Sequence, residues 1–414
     1  MIIRRRNPSI IRASIILMVL SAMNTLLEIP GFNNQDYRLI FILGVFLVVF
    51  IFSKRTMAGM MRLTSKQFRR YPIWCTISLS LLALYTMKAY PAQSPLLTIR
   101  VVSQYMMVIW AIPIYILISR DHSEKYVLEL INFISVVWCL LILLQSIVYT
   151  INGSMLFSFL DNSLFGYREE RLRYSVGPFA NFSLIYCFWY IYFTKIKKKL
   201  YHTISFAILL LTNIFVQQSR MAIIAIIVTM IVMILMEKRS GYRIFRKLSI
   251  IFALICFLIL TDYVESYFES IFTKYDVSIS SRIYSYSYYW GVFKSNPLFG
   301  FGLLKTDLAY QSILYGPLGM ASMDDVGFVG QMAALGIFSI VIIAGIYVYM
   351  MRVIILIKRN TKEIHSLLLG AFVYLLCTTP TLIVFDQQRI CLVPLLIALF
   401  EYQLVQSKNI KLST

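Results

Sequence analysis

Four arginines each border an apolar or aromatic stretch of the sequence: Arg173, Arg220, Arg282 and Arg389. Arg220 lies in FVQQSRMAIIAIIV, where only four polar residues separate two apolar runs. A planar guanidinium donates bidentate hydrogen bonds to phosphate oxygens and stays charged at any workable pH. Since each hydrogen bond to a charged group contributes about 1.5 to 3 kcal/mol, two or three of these arginines could hold a lipid diphosphate. The alternative for any one of them is a side chain that extends to a lipid headgroup.

A second candidate feature is the aromatic segment SSRIYSYSYYWGVFKSNPLFGFG, residues 280–302. Its tyrosines and tryptophan precede Pro and Gly residues, a pattern that predicts an interfacial helix followed by a turn. Tyr288 and Trp290 are candidate glycan contacts, and Glu169 in an earlier polar segment is a third. The alternative for the rings is an aromatic belt at headgroup depth. No metal-ligand motif and no phosphate-binding glycine loop accompanies these residues.

The elements that must position these side chains are membrane-spanning helices. Hydrophobic residues make up 59% of the 414 residues and charged residues only 14%, which excludes an ordinary soluble domain. Long, continuously apolar stretches predict an all-α polytopic membrane protein with about twelve transmembrane helices, rather than a barrel. The predicted spans cover approximately residues 14–29, 39–53, 73–90, 99–118, 126–149, 179–194, 202–217, 221–236, 248–264, 333–357, 365–384 and 388–405.

The charge distribution predicts the orientation of these spans. Lys and Arg concentrate in alternate connecting segments, which places that side and both termini in the cytoplasm. The net charge of +20 is therefore a topology signal and not a nucleic-acid footprint. Residues 1–414 are expected to form a single membrane domain with two long extracytoplasmic loops, at 150–178 and, between spans nine and ten, at 265–332. The six cysteines lie in or at the ends of predicted spans, so no disulfide framework is expected.

Four segments resemble, in their order and spacing, the O-antigen polymerase and ligase superfamily: RLRYSVGPFANFS, QQSRMAIIAIIV, SRIYSYSYYWGVFKSNPLFGFGL and DVGFVGQMAALGIFSI. The resemblance covers roughly residues 170–345. It implies a multi-pass glycosyltransferase of the bacterial inner membrane that takes a glycan from undecaprenyl diphosphate on the outer face. No nucleotide sugar, cofactor or essential metal is implied. By motif, Arg173, Arg220 and Arg282 match family arginines associated with the lipid diphosphate or with activity.

One departure from the family pattern favours the polymerase branch, called Wzy-type. Ligases that attach O-antigen to lipid A core have a histidine late in the large loop, about where ASMDDVGFVGQ is here. In this chain the histidines are His122, His202 and His365, all on the predicted cytoplasmic side. The expected activity is therefore polymerisation of lipid-linked repeat units, with the ligase as the nearest alternative.

The resemblance also suggests the catalytic base. Asp325 or Asp324 occupies the approximate place of the ligase histidine, and either carboxylate could accept the proton of an attacking hydroxyl. Arg282 is the arginine expected to assist the reaction in the same loop. The alternative for each carboxylate is a solvated loop charge, and Glu169 could simply neutralise a neighbouring arginine.

Two further functions stay open. A flippase or other transporter for lipid-linked oligosaccharides needs polar residues along a path through the membrane, whereas the arginines here gather at one predicted face. A scaffold for a glycan-export assembly is the other alternative. The expected partners are undecaprenyl-diphosphate-linked oligosaccharides and the bilayer, with a flippase and a chain-length regulator as further candidates and no nucleic acid.

Overall fold

The computed structural model describes the chain in segments that are almost entirely helical. The described segments are residues 61–121, 123–157, 166–168, 171–174, 176–194, 199–217, 219–237, 277–305, 308–323, 325–382, 384, 389 and 392–413. The α-helices are α1 (Lys66–Ala89), α2 (Pro95–Met106), α3 (Ala111–Asp121), α4 (Glu124–Asn152), α5 (Pro178–Phe193), α6 (Lys199–Thr212), α7 (Arg220–Met236), α8 (Val277–Ser295), α9 (Gln311–Tyr315), α10 (Gly327–Leu335), α11 (Gly345–Thr361), α12 (Ser366–Thr378) and α13 (Leu392–Ser413). Tighter and wider turns adjoin them, at Met107–Trp110, Asn213–Gln217, Leu308–Tyr310 and Ile340–Ala344. The predicted all-α class is confirmed.

Within the described residues, four helical stretches are long and apolar enough to cross a membrane: Pro95–Ser119, Glu124–Asn152, Lys199–Gln217 and Ile340–Thr361. Such helices expose large apolar side chains, including Ile151, Leu200 and Val348, each more than 60% accessible. Exposed apolar surface on this scale suits contact with lipid. The total of twelve spans stays a prediction, because the predicted spans 14–29, 39–53 and 248–264 lie outside the described residues.

A short β-hairpin interrupts the predicted loop at 150–178. Strand β1 (Gly166–Arg168) pairs antiparallel with β2 (Arg171–Arg173), and Tyr167 lies opposite Leu172. Two residues connect the strands, the shortest common length for a hairpin connection. The hairpin therefore gives Arg173 a fixed backbone position immediately before α5.

The described residues divide into two compact units that interleave along the chain. The first contains the described residues up to Ser65, from Val108 to Ile226, and from Gln387 onward. The second contains Lys66–Met107 and Ile227–Asp386. Three of the four candidate arginines, Arg173, Arg220 and Arg389, thus fall in the first unit, and Arg282 falls in the second.

In the first unit, buried polar side chains connect α4, α5 and α6. The thiol of Cys187 donates to Oδ1 of Asn132 at 3.1 Å, and Nε2 of His202 lies 3.4 Å from Oε1 of Glu129. The imidazole of His202 also packs against Tyr190, with ring centroids 3.7 Å apart. Because His202 and Asn132 are shielded from solvent, their polar groups pair across helices. The three helices are therefore fixed in register by specific contacts as well as by apolar packing.

In the second unit, the turn that follows α8 is bound to two other elements. The amide of Phe301 donates to the carbonyl of Ala333 in α10 at 2.8 Å. Two residues later, the amide of Leu303 donates to the hydroxyl of Thr86 in α1, also at 2.8 Å. The large loop therefore packs as a folded extension of the helices, and its aromatic helix α8 is held against them.

Gly327, the first residue of α10, makes the closest backbone approach in this unit. Its φ is +46°, and a Cβ there would overlap the carbonyl of Thr379. The adjacent amide of Phe328 donates to the same carbonyl at 3.1 Å. Gly291, in the middle of α8, has nothing within 4 Å of an added Cβ.

Gly327→Ala is therefore expected to lower the apparent Tm of the purified protein by several degrees, since the steric overlap and the positive φ together cost about 2 kcal/mol or more. Gly291→Ala is the matched control and should leave the Tm unchanged or slightly raised, because alanine favours a helix interior over glycine. Thermal unfolding in detergent measures both variants. Equal melting temperatures for Gly327→Ala and wild type would contradict the observed approach.

Candidate functional site

Arg389 is the candidate arginine with the least solvent exposure. Its relative accessibility is only 4%, and it lies just before α13, where its carbonyl accepts hydrogen bonds from Leu392 at 2.9 Å and Val393 at 3.3 Å. Within the described part of the chain, no acceptor lies within hydrogen-bond distance of its Nη1. A buried charged donor without an acceptor is costly, by several kcal/mol where no relaxation occurs. An anionic ligand would supply both the counter-charge and the acceptor.

Arg173 lies at the end of β2 and is bound to the far end of α6. Its Nε donates to the carbonyl of Gln217 at 3.2 Å, and the amide of the next residue, Tyr174, donates to Val216 at 3.1 Å. Gln217 stands three residues before Arg220. The fold therefore brings Arg173 to the same short turn that Arg220 closes, which sequence separation alone does not suggest.

The turn that carries Arg220 joins a π-helical end to a capped helix start. Helix α6 continues into the π-helical turn Asn213–Gln217, and α7 begins at Arg220. Ser219 caps α7, since its carbonyl accepts from Ile223 at 3.1 Å and its hydroxyl accepts from Ala222 at 3.5 Å. Serine is favoured at this position because its oxygen satisfies a free amide of the first turn. The backbone of Arg220 is thus at the helix N-terminus, and its side chain lies outside the described atoms.

Two side-chain oxygens of that π-helical turn are buried hydrogen-bond acceptors. The side-chain oxygens Oδ1 of Asn213 and Oε1 of Gln217 are inaccessible to solvent, and no donor among the described residues reaches either of them. The Nδ2 of Asn213 donates to the carbonyl of Leu209 at 2.9 Å, which fixes that amide. The sequence analysis placed Gln217 among the polar residues of the turn and did not consider Asn213. Only the polarity of Gln217 at the end of an apolar run could have indicated them.

In the second unit, a loop segment packs along α8 and carries the candidate base. The hydroxyl of Ser281 donates to the carbonyl of Met320 at 3.0 Å, and the amide of Ser322 donates to the hydroxyl of Ser285 at 3.0 Å. Ser281 and Ser285 are four residues apart, so both face the same side of the helix. These contacts bring the residues just before α10 beside the first half of α8.

The result is an ion pair between two predicted site residues. Nη2 of Arg282 lies 3.9 Å from Oδ1 of Asp325, and their side chains are 45% and 47% accessible. At this exposure an ion pair contributes about 0 to 1 kcal/mol to stability, so the pair is not a structural requirement. Both groups are accessible to a substrate. Asp324 and Glu169 lie outside the described residues.

The tyrosines of α8 act as hydrogen-bond donors. The hydroxyl of Tyr286 donates to the carbonyl of Pro380, and that of Tyr288 donates to Ile313 at 2.8 Å. Burial raises the pKa of both hydroxyls above the usual value, an effect that Arg282 partly offsets for Tyr286. Both therefore stay protonated at neutral pH and cannot serve as general bases. Of the titratable groups described beside Arg282, Asp325 is the suitable one.

The two candidate glycan contacts on α8 differ in their surroundings. Tyr288 stacks on Tyr284 with ring centroids 6.1 Å apart, and its hydroxyl is already bonded. Trp290 is 43% accessible, and the ammonium of Lys294 lies 5.6 Å from its ring centroid. Trp290 therefore exposes part of its ring to solvent or lipid, whereas Tyr288 belongs to a packed cluster. In the described part of the chain, no three His, Cys, Asp or Glu side chains are placed to hold a metal ion.

Taken together, these features describe a helical membrane protein in which several arginines and the accessible carboxylate of Asp325 lie at or near the ends of helices. Residues 205–325 match the family model Wzy_C, described as O-Antigen ligase. The match confirms the resemblance to the O-antigen polymerase and ligase superfamily, and it indicates a glycosyltransferase or ligase type of enzyme that acts on lipid-linked polysaccharide. The matched span includes Arg220, Arg282 and Asp325. No curated protein matches the chain with significant similarity.

Replacing Arg389 tests whether its charge is structural or functional. Because Nη1 has no described acceptor, Arg389→Met should leave the apparent Tm unchanged or raise it by a few degrees. Adding undecaprenyl diphosphate should raise the Tm of the wild type by linkage and not that of the variant. Arg359→Met, at an exposed position in the last turn of α11, is the control for the general effect of losing an arginine. A marked fall in the Tm of ligand-free Arg389→Met would assign the residue a structural role.

Proposed function

We propose that the protein polymerises undecaprenyl-diphosphate-linked oligosaccharide repeat units on the outer face of the bacterial cytoplasmic membrane. The product is O-antigen or a related surface polysaccharide. The observation that carries this proposal is the buried guanidinium of Arg389, whose Nη1 has no acceptor in the described part of the chain. In a membrane protein with an O-antigen family segment, a lipid-linked diphosphate is the anion that fits such a group.

The proposed reaction is a single displacement with inversion. Two lipid-linked glycans bind together, the growing chain as donor and one repeat unit as acceptor. An acceptor hydroxyl attacks the anomeric carbon of the donor, a new glycosidic bond forms, and the bond from that carbon to the diphosphate oxygen breaks. The diphosphate leaves with the electron pair, and the hydroxyl proton passes to a base. No metal takes part in the proposed step.

The arginines would accelerate this step by stabilising the leaving group. Negative charge grows on the diphosphate oxygens as the sugar gains oxocarbenium character, so fixed cations favour the transition state over the ground state. Arg389 is supported by its burial, and Arg173 by its contact with the turn that Arg220 closes. Arg220 is supported by the family match.

Asp325 is the proposed general base, with Asp324 as its neighbour in the same role. Its accessible carboxylate lies 3.9 Å from Nη2 of Arg282, which would orient it toward an acceptor hydroxyl. The pair contributes little to stability, so its position is better explained by chemistry than by folding. Arg282 would stay beside Asp325 when this carboxylate accepts the proton of the attacking hydroxyl. The hydroxyl of an acceptor sugar could reach this exposed position.

Polymerisation is favoured over ligation by the surroundings of the histidines. His202 is buried at 1% accessibility against Glu129 and Tyr190, and His365 immediately precedes α12. The segment from α8 through α10 contains no histidine. The loop histidine that a ligase would use therefore has no equivalent in this segment. A carboxylate base and a second lipid-linked glycan as acceptor fit this chain better.

The decisive experiment supplies purified protein with a short undecaprenyl diphosphate oligosaccharide and separates the products by size. A ladder of whole multiples of the repeat unit is expected from the wild type. Arg220→Lys should abolish the ladder at normal protein abundance, because lysine keeps the charge and loses the bidentate fork. Transfer to lipid A core would instead assign the ligase, and transbilayer movement of an unchanged substrate would assign the flippase.

The base is tested separately by Asp325→Asn combined with Asp324→Asn. Loss of the proton acceptor should lower the rate of chain extension about 100-fold or more while donor binding persists, since general base catalysis contributes 10²- to 10⁴-fold. Glu363→Gln, an exposed carboxylate outside α8 to α10, is the matched control and should behave like wild type. Unchanged polymer length and yield in the double variant would remove both aspartates from the mechanism.

A further inference from the structure

The π-helical turn Asn213–Gln217 contains a polar position that the proposed mechanism does not use. Oε1 of Gln217 is inaccessible, and no described residue donates a hydrogen bond to it. Oδ1 of Asn213, four residues earlier, is also inaccessible and has no described donor. An unpaired buried acceptor costs about 1 to 3 kcal/mol, and π-helical turns occur frequently at functional sites. Two such acceptors in one π-helical turn indicate a ligand that brings hydrogen-bond donors.

The neighbouring contact indicates which part of the ligand would lie there. Arg173 donates from Nε to the carbonyl of Gln217 itself, at 3.2 Å. A diphosphate held by the guanidinium of Arg173 would therefore lie next to this residue. In a lipid-linked glycan, the group bonded directly to the diphosphate is the first sugar. Its hydroxyl and acetamido groups are therefore carried by the ring that adjoins the phosphate.

The amide type of the side chain fits this position. A carboxylate at residue 217 would repel the diphosphate, whereas a neutral amide oxygen accepts a hydrogen bond without that cost. A site built to accept a hydrogen bond from one sugar group discriminates strongly against an analogue that lacks it, because the buried oxygen is then left unpaired. The turn therefore combines a neutral acceptor with an adjacent cation, as a sugar diphosphate requires.

We propose that Gln217 determines specificity for the sugar directly attached to the diphosphate, by accepting a hydrogen bond from one of its hydroxyl or acetamido N–H groups. The inference rests on the proposed polymerase function, since it needs a glycosyl diphosphate as donor. It adds the substrate group that this turn recognises and a residue that selects it.

The test is a double-mutant cycle in which one change is made in the protein and the other in the substrate. The native lipid-linked repeat unit is compared with analogues in which each hydroxyl or acetamido group of the first sugar is replaced by hydrogen in turn. Wild type should lose about 10- to 100-fold in kcat/KM with one of these analogues. Gln217→Leu should lose a similar factor with the native substrate and nothing further with that same analogue, because both changes remove one hydrogen bond.

Controls separate this inference from protein folding. Gln217→Leu should not lower the apparent Tm, since the oxygen it removes has no described donor. Gln217→Met provides the same test should the leucine variant not accumulate. Gln104→Leu, at a half-buried position of α2, is the matched control and should keep wild-type kinetics with every substrate.

The outcomes distinguish the two proposals. The role of Gln217 would be overturned if the losses in kcat/KM from Gln217→Leu and from every analogue multiplied independently. It would also be overturned if the variant kept wild-type kinetics with every substrate. Either outcome would leave the polymerase proposal intact. A wild-type protein that extends neither the native substrate nor any analogue would instead overturn the proposed function.

Discussion

A guanidinium cannot discard its charge, so a chain that buries one in an apolar helical protein needs an anion for it. Arg389 illustrates the constraint most clearly, because it is almost fully buried and Nη1 lacks an acceptor in the described part of the chain. Lysine could lose its proton in such a place, and histidine could stay neutral. Arginine has neither option. In the same unit, Arg173 is bound to the short turn that precedes α7.

The second unit places a different group in an accessible position, the carboxylate of Asp325 that we propose as the base. Helix α8 is fixed through its tyrosines and serines, whose hydrogen bonds go to backbone carbonyls and amides of neighbouring segments. The burial that raises the pKa of Tyr286 and Tyr288 keeps these hydroxyls protonated and in structural use. Asp325 and Arg282 are left on the accessible side. The structural hydrogen bonds of α8 and the Arg282–Asp325 pair thus involve neighbouring residues of one helix and the loop beside it.

The all-α class of the fold could be predicted from the sequence, because it depends on local signals, and the candidate residues were chosen from signals of the same kind. Continuous apolar runs specify helices, and arginines beside such runs stand out as charges that need an explanation. The contact of Arg282 with Asp325 could not be predicted in this way, because 43 residues separate them and the loop path that joins them depends on Ser281 and Ser285. The division into two interleaved units has no signal in composition either.

Gln217 was missed for a related physical reason. A glutamine after an apolar run is ordinary for a helix end, and neither the π-helical geometry nor the burial of Oε1 leaves a trace in residue type. The short hairpin at β1 and β2 was also not predicted, since three-residue strands are too short for a period-two pattern. In both cases tertiary contacts decide the conformation. Arg389 lies between these extremes, because its position was predicted and its burial was not.

The wide turn at Asn213–Gln217 also bears on how such proteins could diversify. A π-helical turn accommodates one more residue than an α-helical turn of the same span, so shortening it by one residue would return α6 to regular geometry. The extra residue is absorbed within the turn, so the residues after it, Ser219 and Arg220 among them, would keep their direction. The side chains inside the turn, Gln217 among them, would change direction instead. Insertions and deletions at this point would therefore alter the turn itself and leave the rest of the chain in place.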